Sequence, residues 1–375
     1  MDGNPSADTE DWGPFGRPLF DDPSARALSR VGVVDVGSNS VRMVVFDGAA
    51  RSPAYFFNEK VMAGLGGGMA ETGRLNPEGR VRALQAIKRF QRLADTMDIS
   101  PLTAVATAAV REAEDGPDFA EQVERETGLK LWVIEGEEEA HLSAQGVLLG
   151  WPDANGLVCD IGGSSMELAD IRDGEVQTCL SSKLGPQRLK TVKGGKKGRK
   201  KAIQAGIADL VENIGRKGTR LYLVGGSWRA IARIDMDRRA YPLTVLHEYR
   251  MSRKALYATI QHIEDTDPEE LRARTGIGDS RMTLVPLASQ VLKELIRALK
   301  PAEIIVSSYG IREGMLYQQM PQALRDRDPL IEACRFAERK DARMPGFGRR
   351  LYQFVQPLCT ARNAPDKRLI KAACL

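Results

Sequence analysis

The stretch that decides the fold is "VVDVGSNSVRMVVFDG", residues 33–48, because much of it returns as "LVCDIGGSSMELADIRDG", residues 157–174. Each copy runs an apolar strand into an Asp, a small apolar residue, a Gly, a polar turn and a second alternating strand. A tight Gly-rich turn presents successive backbone N–H groups with no Cβ in the way, which suits phosphate oxygens. Gly37, Ser38 and Asn39 supply that turn in the first copy, and Gly162, Gly163 and Ser164 in the second. Asp35 and Asp160, just before the turns, would repel a phosphate unless a cation intervenes, and Mg²⁺ held by carboxylate, phosphate oxygens and water resolves the conflict. A single Asp-x-Gly hairpin is weak evidence, since the Asp also stabilises its own turn. Two copies in two related domains place one turn on each side of a cleft, so that a phosphate chain is gripped from both walls.

Outward from the hairpins, the chain reads as alternating strands and helices. "RLNPEGRVRALQAIKRFQRLADTM" carries Asn76 as cap, Pro77 at the first helical position, and an apolar stripe through Leu84, Ile87, Phe90, Ala94 and Met97. Strands at "LTAVA" and "KLWVI", and helices at "PDFAEQVERETG" and "GEEEAHLSAQGV", complete an α/β domain over residues 31–150. After the turn-rich "GWPDANG" the order restarts: two strands around "CDIGGSSMELADI", a helix from about Lys200, "RLYLVGG", "WRAIARI", one long helix "RMTLVPLASQVLKELIRALK", "AEIIVSS" and "IREGMLY". This second domain is expected over 151–325. Residues 1–30, acidic and rich in Pro and Gly, read as a mobile tail without a signal-peptide core. Residues 326–375 read as helices, the last ending on an apolar run, as in the start of a truncated helical domain.

With 375 residues, 42% of them hydrophobic, the chain can bury substantial cores, and nothing in it is apolar for long enough to span a membrane. The reading is of a cytoplasmic protein that engages no membrane. A net charge of +4 is too small to argue for nucleic acid. Cys159, Cys179, Cys334, Cys359 and Cys374 are scattered, and His141, His247 and His262 are far apart, so a disulfide framework, a zinc site or a Ser-His-Asp triad lacks parts. Chemistry therefore falls to carboxylates, arginine and backbone. "KTVKGGKKGRKK", Lys190 to Lys201, is a dense basic run, either a solvated loop leading into a helix or a collector for a polyanion.

"DVGSNSVRMVV", "ATAAVREAED", "EGEEEAHLSAQGV", "DIGGSSMEL", "LVGGSWRAIA" and "SSYGIREGMLY" occur in the order that resembles the exopolyphosphatase and guanosine pentaphosphate phosphatase family, within the actin, sugar-kinase and heat-shock-chaperone ATPase superfamily. The resemblance covers residues 31–320. It implies two actin-like (ribonuclease H-like) α/β domains facing a central cleft, with Mg²⁺ as cofactor and inorganic polyphosphate or guanosine pentaphosphate as substrate. A homodimer is compatible with it.

By resemblance, Glu139 positions and deprotonates the attacking water, although Glu137 and Glu138 beside it need only the helix dipole as explanation. Arg111 is assigned to the transferring phosphoryl group, and Asp35, Asp160 and Glu167 to the metal and its water. Alternation alone would equally turn Glu167 to solvent. Arg42 either reaches phosphate or is an exposed strand residue. Gly225, Gly226 and Ser227 form a third glycine turn, read as a phosphate contact or as close strand-to-helix packing. Two positions depart from the family pattern. Ser164 replaces a third glycine and is expected to crowd the turn, and Asp115 replaces an Asn. A kinase of the same superfamily and a non-catalytic sensor share the fold, so the fold does not choose between them.

Overall fold

The computed structural model describes residues 28, 30–47, 51–359 and 364–375. The expected N-terminal tail lies outside the described residues apart from Leu28 and Arg30. Chain contacts separate two compact units, one holding Val31–Val45 with Phe56–Gln318 and the other including Phe46–Tyr55 and Gln319–Leu375.

The strands form two sheets. The first comprises β1 (Gly32–Val36), β2 (Val41–Asp47), β3 (Ala54–Val61), β4 (Leu102–Ala106) and β5 (Leu131–Val133) in the order β3-β2-β1-β4-β5. Its helices are α1 (Met69–Thr72), α2 (Pro77–Thr96), α3 (Ala108–Glu112), α4 (Gly116–Thr127) and α5 (Gly136–Gly150). The second sheet comprises β6 (Gly156–Ile161), β7 (Met166–Arg172), β8 (Glu175–Ser182), β9 (Arg220–Val224), β10 (Arg250–Met251) and β11 (Glu303–Val306), in the order β10-β11-β9-β6-β7-β8. Around it run α6 (Pro186–Lys190), α7 (Gly195–Ile214), α8 (Gly226–Arg238), α9 (Arg253–Asp265), α10 (Pro268–Thr275), α11 (Asp279–Met282), α12 (Val285–Leu299) and α13 (Ile311–Gln319). Each sheet begins with an antiparallel meander, and each adds parallel strands beside its first strand. The two orders are therefore one topology used twice, with the short antiparallel β10 added at the edge of the second sheet.

Why these segments fold as they do follows from pattern. Asn76 accepts the Gly79 N–H at 2.8 Å, and Pro77 opens α2, whose buried stripe includes Leu84, Ile87, Phe90 and Ala94. That stripe joins Val34, Val36, Met43 and Val45 in one core, and β6, β9 and β11 pack against α7, α8 and α12 in the other. Fully burying a Leu or Ile side chain stabilises by roughly 1.5–3 kcal/mol, so these two cores carry much of the fold's stability.

Sequence reading overlooks the third strand of each meander. "AYFFNEKV" and "EVQTCLSS" are edge strands in which no residue is fully buried, so neither shows a clear apolar face. The long helix expected from Arg281 is two helices, because Pro286 has no N–H to continue a ladder and so begins α12. The basic run is not a loop throughout: Lys196, Lys197, Arg199, Lys200 and Lys201 lie in the first turns of α7.

In the smaller unit, α14 (Gln322–Arg325), α15 (Pro329–Asp341), α16 (Phe347–Val355) and α17 (Ala364–Cys374) are helical, as expected of that region. The buried Arg51 donates through Nε to the Arg327 carbonyl at 2.8 Å, and buried Glu332 pairs with Arg335 at 2.9 Å. Among the described residues no helix is long and apolar enough to cross a membrane.

Candidate active site

The two hairpins adopt the same turn. The Gly37 N–H donates to the Ser40 carbonyl at 3.0 Å, and the Gly162 N–H to the Ser165 carbonyl at 3.0 Å. Register is equally conserved between the copies: Asp35 lies opposite Arg42, and Asp160 opposite Glu167. One position thus carries opposite charges in the two copies.

Asp35, Gly37, Ser38 and Asn39 from the first hairpin and Asp160, Gly162 and Gly163 from the second line a single open cleft with a cavity of about 180 Å³. Glu139, in the first turn of α5, lines it too, as do Gly225 and Gly226 at the start of α8. The hairpins come so close that a Cβ on Gly163 would stand 2.6 Å from Gln187 Oε1 and 3.2 Å from Ser38 Cβ. Gly225 is required for two reasons: its φ is +106°, and a Cβ there would lie 2.8 Å from Asp160 Oδ1. Backbone at these glycines is thus what lets the carboxylate, the turns and a helix N-terminus share one space.

Five sequence candidates lie beside the cleft rather than in its lining. Arg111 is placed behind Glu139, where Nη1 donates to the Ile134 carbonyl at 2.6 Å and stands 3.5 Å from Glu139 Oε2; it is therefore a partner of Glu139 and not a wall of the cleft. Arg42 donates through Nε to Asn58 Oδ1 at 2.7 Å. Glu167 is buried, against its solvent-facing alternative, and its Oε1 accepts from Ser181 at 3.2 Å. Ser227 is buried, 3.5 Å from Arg281 Nη1. Ser164, expected to crowd the turn, instead forms a 2.9 Å hydroxyl–hydroxyl hydrogen bond with Ser38, tying one hairpin to the other. The other departure, Asp115, is structural: Oδ1 accepts the Leu75 N–H at 2.9 Å, and Oδ2 pairs with Arg80 at 3.2 Å.

The structure adds residues without an assigned role in the sequence reading. Arg229, Arg281 and Arg312 line the cleft, and Arg312 Nε lies 4.0 Å from Asp35 Oδ2. Ser143 donates to Asp160 Oδ2 at 2.5 Å. It sits four residues after Glu139, on the same helix face, which is the signal that would have found it.

Two crowds of like charge share this space. Burial, followed by repulsion from Asp160, pushes Glu139 up to about 8, against the pull of Arg111. Asp35 and Asp160 are raised chiefly by burial, and Glu167 by burial and then by Glu139. Among the basic groups, Arg229 is lowered by burial and then by Arg312, Arg281 by burial, and Lys60 by burial and then by Arg281. Carboxylates that repel one another call for a cation, and guanidiniums that repel one another call for an anion. Among the described residues no three His, Cys, Asp or Glu side chains gather into a chelating set. Asp35 and Asp160 face the cleft while Glu167 stands behind Asp160, an arrangement suited to an ion that takes two carboxylates and draws its other ligands from substrate and water.

The family model of the Ppx/GppA phosphatase family matches residues 44–323. The chain belongs to that family. Ppx/GppA relatives include exopolyphosphatase 1 of Mycobacterium tuberculosis, 27% identical over 319 residues that cover 81% of this chain and 92% of the relative. Exopolyphosphatase 2 of the same organism is 25% identical over 316 residues, covering 77% and 98%. The crystal structure of an exopolyphosphatase from Cytophaga hutchinsonii matches with a TM-score of 0.69 at 25% identity, covering 77% of this chain and 97% of that one. An Aquifex aeolicus family member shares the fold, with a TM-score of 0.66 at 24% identity and coverage of 77% and 97%. The two sheets are accordingly the two actin-like domains of that fold.

Proposed function

We propose that the chain is a phosphoanhydride hydrolase that releases terminal orthophosphate from inorganic polyphosphate. The observation that carries this reading is that buried carboxylates and buried guanidiniums line the same cleft as the two glycine turns, since a metal-bound polyphosphate end answers both charges. The names of the relatives support it. In the mechanism, Ser38, Asn39 and Gly163 hold the terminal phosphoryl oxygens through backbone N–H groups, the Gly37 and Gly162 N–H groups being used to close the turns, and Arg229, Arg281 and Arg312 balance the charge spread over them. Glu139 accepts the proton of the attacking water, with Arg111 holding its carboxylate in place. Asp35 and Asp160 would hold Mg²⁺, and Ser143 orients the Asp160 carboxylate. When bound, that ion supplies charge neutralisation at the phosphate oxygens.

Guanosine pentaphosphate presents the same phosphoanhydride and is the second reading, because the family unites both activities in its name. Comparing initial rates on long-chain polyphosphate and guanosine pentaphosphate decides between them. We expect higher kcat/KM on polyphosphate, and a preference for the nucleotide overturns that order. Orthophosphate release without any acceptor is expected, whereas a kinase would require one and a sensor would release none.

The basic helix start belongs to the same reading. Exposed ammonium groups act over about one Debye length, roughly 8 Å at physiological salt, so they assist only chains that extend past the cleft. Replacing Lys196, Lys197, Arg199 and Lys200 with Gln is expected to lower kcat/KM on long polyphosphate about tenfold and to flatten its salt dependence. Tripolyphosphate hydrolysis should change less than about twofold, because α7 begins away from the residues that line the cleft. Equal losses on short and long chains would show that the run supports the fold instead.

A further inference from the structure

The loop Ser307–Gly310 delivers Ser308, Gly310 and Arg312 to the cleft, and its backbone N–H groups are all engaged. Ser307 N–H donates to the Leu223 carbonyl at 2.9 Å, Tyr309 N–H to Ser307 Oγ at 3.0 Å and Gly310 N–H to Glu313 Oε2 at 2.7 Å. The Ser308 N–H alone depends on a side chain from another segment, donating to His247 Nδ1 at 3.2 Å. The carbonyl of Ser308 in turn lies 3.5 Å from Arg229 Nη1. One residue of this loop therefore links an imidazole on one side to a cleft guanidinium on the other.

His247 is itself held from several directions. Its ring stacks on Trp151 at 4.4 Å between centroids and lies against Tyr309 at 4.6 Å. Trp151 caps the C-terminus of α5, the helix that begins with Glu139's turn. Beneath the ring is Gly150, where a Cβ would stand 3.1 Å from both Cε1 and Nε2, and one turn earlier a Cβ on Gly146 would stand 2.3 Å from the Gly310 carbonyl. The glycines of α5 thus seat both the loop and the imidazole. Glu248, in the left-handed region at φ +64°, bends the chain beside His247, and its N–H is fixed to the Val306 carbonyl at 3.0 Å. Burial holds the imidazole below its usual pKa, and acceptance at Nδ1 puts the ring proton on Nε2.

We propose that His247 is a positioning residue: by accepting the Ser308 N–H it fixes the loop that sets Arg229 and Arg312 on the phosphate side of the cleft. This rests on reading the cleft as a phosphate site. Two substitutions separate its two contacts. His247→Asn keeps an acceptor near the Nδ1 position and loses the ring, while His247→Phe keeps the ring and loses the acceptor.

In His247→Phe, amide exchange at Ser308, read by NMR without substrate, should accelerate at least about tenfold. KM for tripolyphosphate should rise about tenfold while kcat stays within about threefold. His247→Asn should keep exchange and KM within about threefold of the parent although its Tm falls through the lost ring contacts. KM and exchange that follow Tm across the two variants, or that stay unchanged in His247→Phe, overturn the proposal. Exchange at Ser308 is read without turnover, so a parent protein inactive on every phosphoanhydride sinks the functional reading while the positioning role is still decided.

Discussion

Glu139→Gln is expected to lower kcat on polyphosphate by at least about two orders of magnitude while KM changes little, the signature of a lost general base rather than lost binding. The substitution preserves shape at a site where Arg111 and the start of α5 hold the side chain, so the phosphate turns should remain in place. Two pH readouts accompany it. The parent must have Glu139 ionised to accept a proton, so its kcat/KM in the free enzyme should fall as pH drops below the raised value of about 8. Stability runs the other way. A carboxyl raised from the usual range to about 8 binds more protons folded than unfolded, so its contribution is full at low pH and is lost as pH rises through about 8. Without added cation at pH 8 or above, Glu139→Gln should therefore melt at a higher temperature than the parent. Near-parental turnover in that well-folded variant would remove Glu139 from the mechanism.

How much of this was legible in the sequence depends on whether a feature is local. The Asp35 and Asp160 hairpins were, because the turn, its glycine and the flanking period of two sit within one short segment and occur twice. Glu139 was named through resemblance, and the structure brings it to the same cleft as both aspartates. Arg111, assigned to the phosphoryl group by resemblance, stands against Glu139 and the Ile134 carbonyl. It is the last-turn residue of a five-residue helix, and only the path of the chain after β4 turns its guanidinium back towards Glu139 and Ile134. Arg281 and Arg312 were invisible as a pair because they come from separate elements that meet only in space. The Ser38 bond of Ser164 is hidden from sequence for the same reason. Within its own hairpin an added hydroxymethyl group looks like crowding, but with the first hairpin opposite it becomes a hydrogen-bond partner for Ser38. His247 carried no motif, and its importance arises from Trp151, Tyr309 and Ser308 converging on one ring.

Asp160→Asn tests the other half of the site. The aspartate is buried, accepts from Ser143, and has no space on its far side, where Gly225 presses against it. Asn is close to isosteric and should fit without displacing that glycine. What it removes is charge, and charge is what a cation requires. Chelation should abolish hydrolysis in the parent, and the Mg²⁺ concentration for half-maximal rate should rise at least about tenfold in Asp160→Asn. Added Mg²⁺ should also raise the parent's Tm, since it binds the folded site, and raise that of the variant much less. Repulsion from Asp160 is, after burial, the largest cause of the raised Glu139 value. Its removal should therefore move the acidic limb of kcat/KM, measured at saturating Mg²⁺, to lower pH. A changed Mg²⁺ requirement with an unmoved limb would mean that Asp160 and Glu139 do not sense each other once the ion is bound. An unchanged Mg²⁺ requirement would place the cation elsewhere, and Asp35 would then be the carboxylate to substitute.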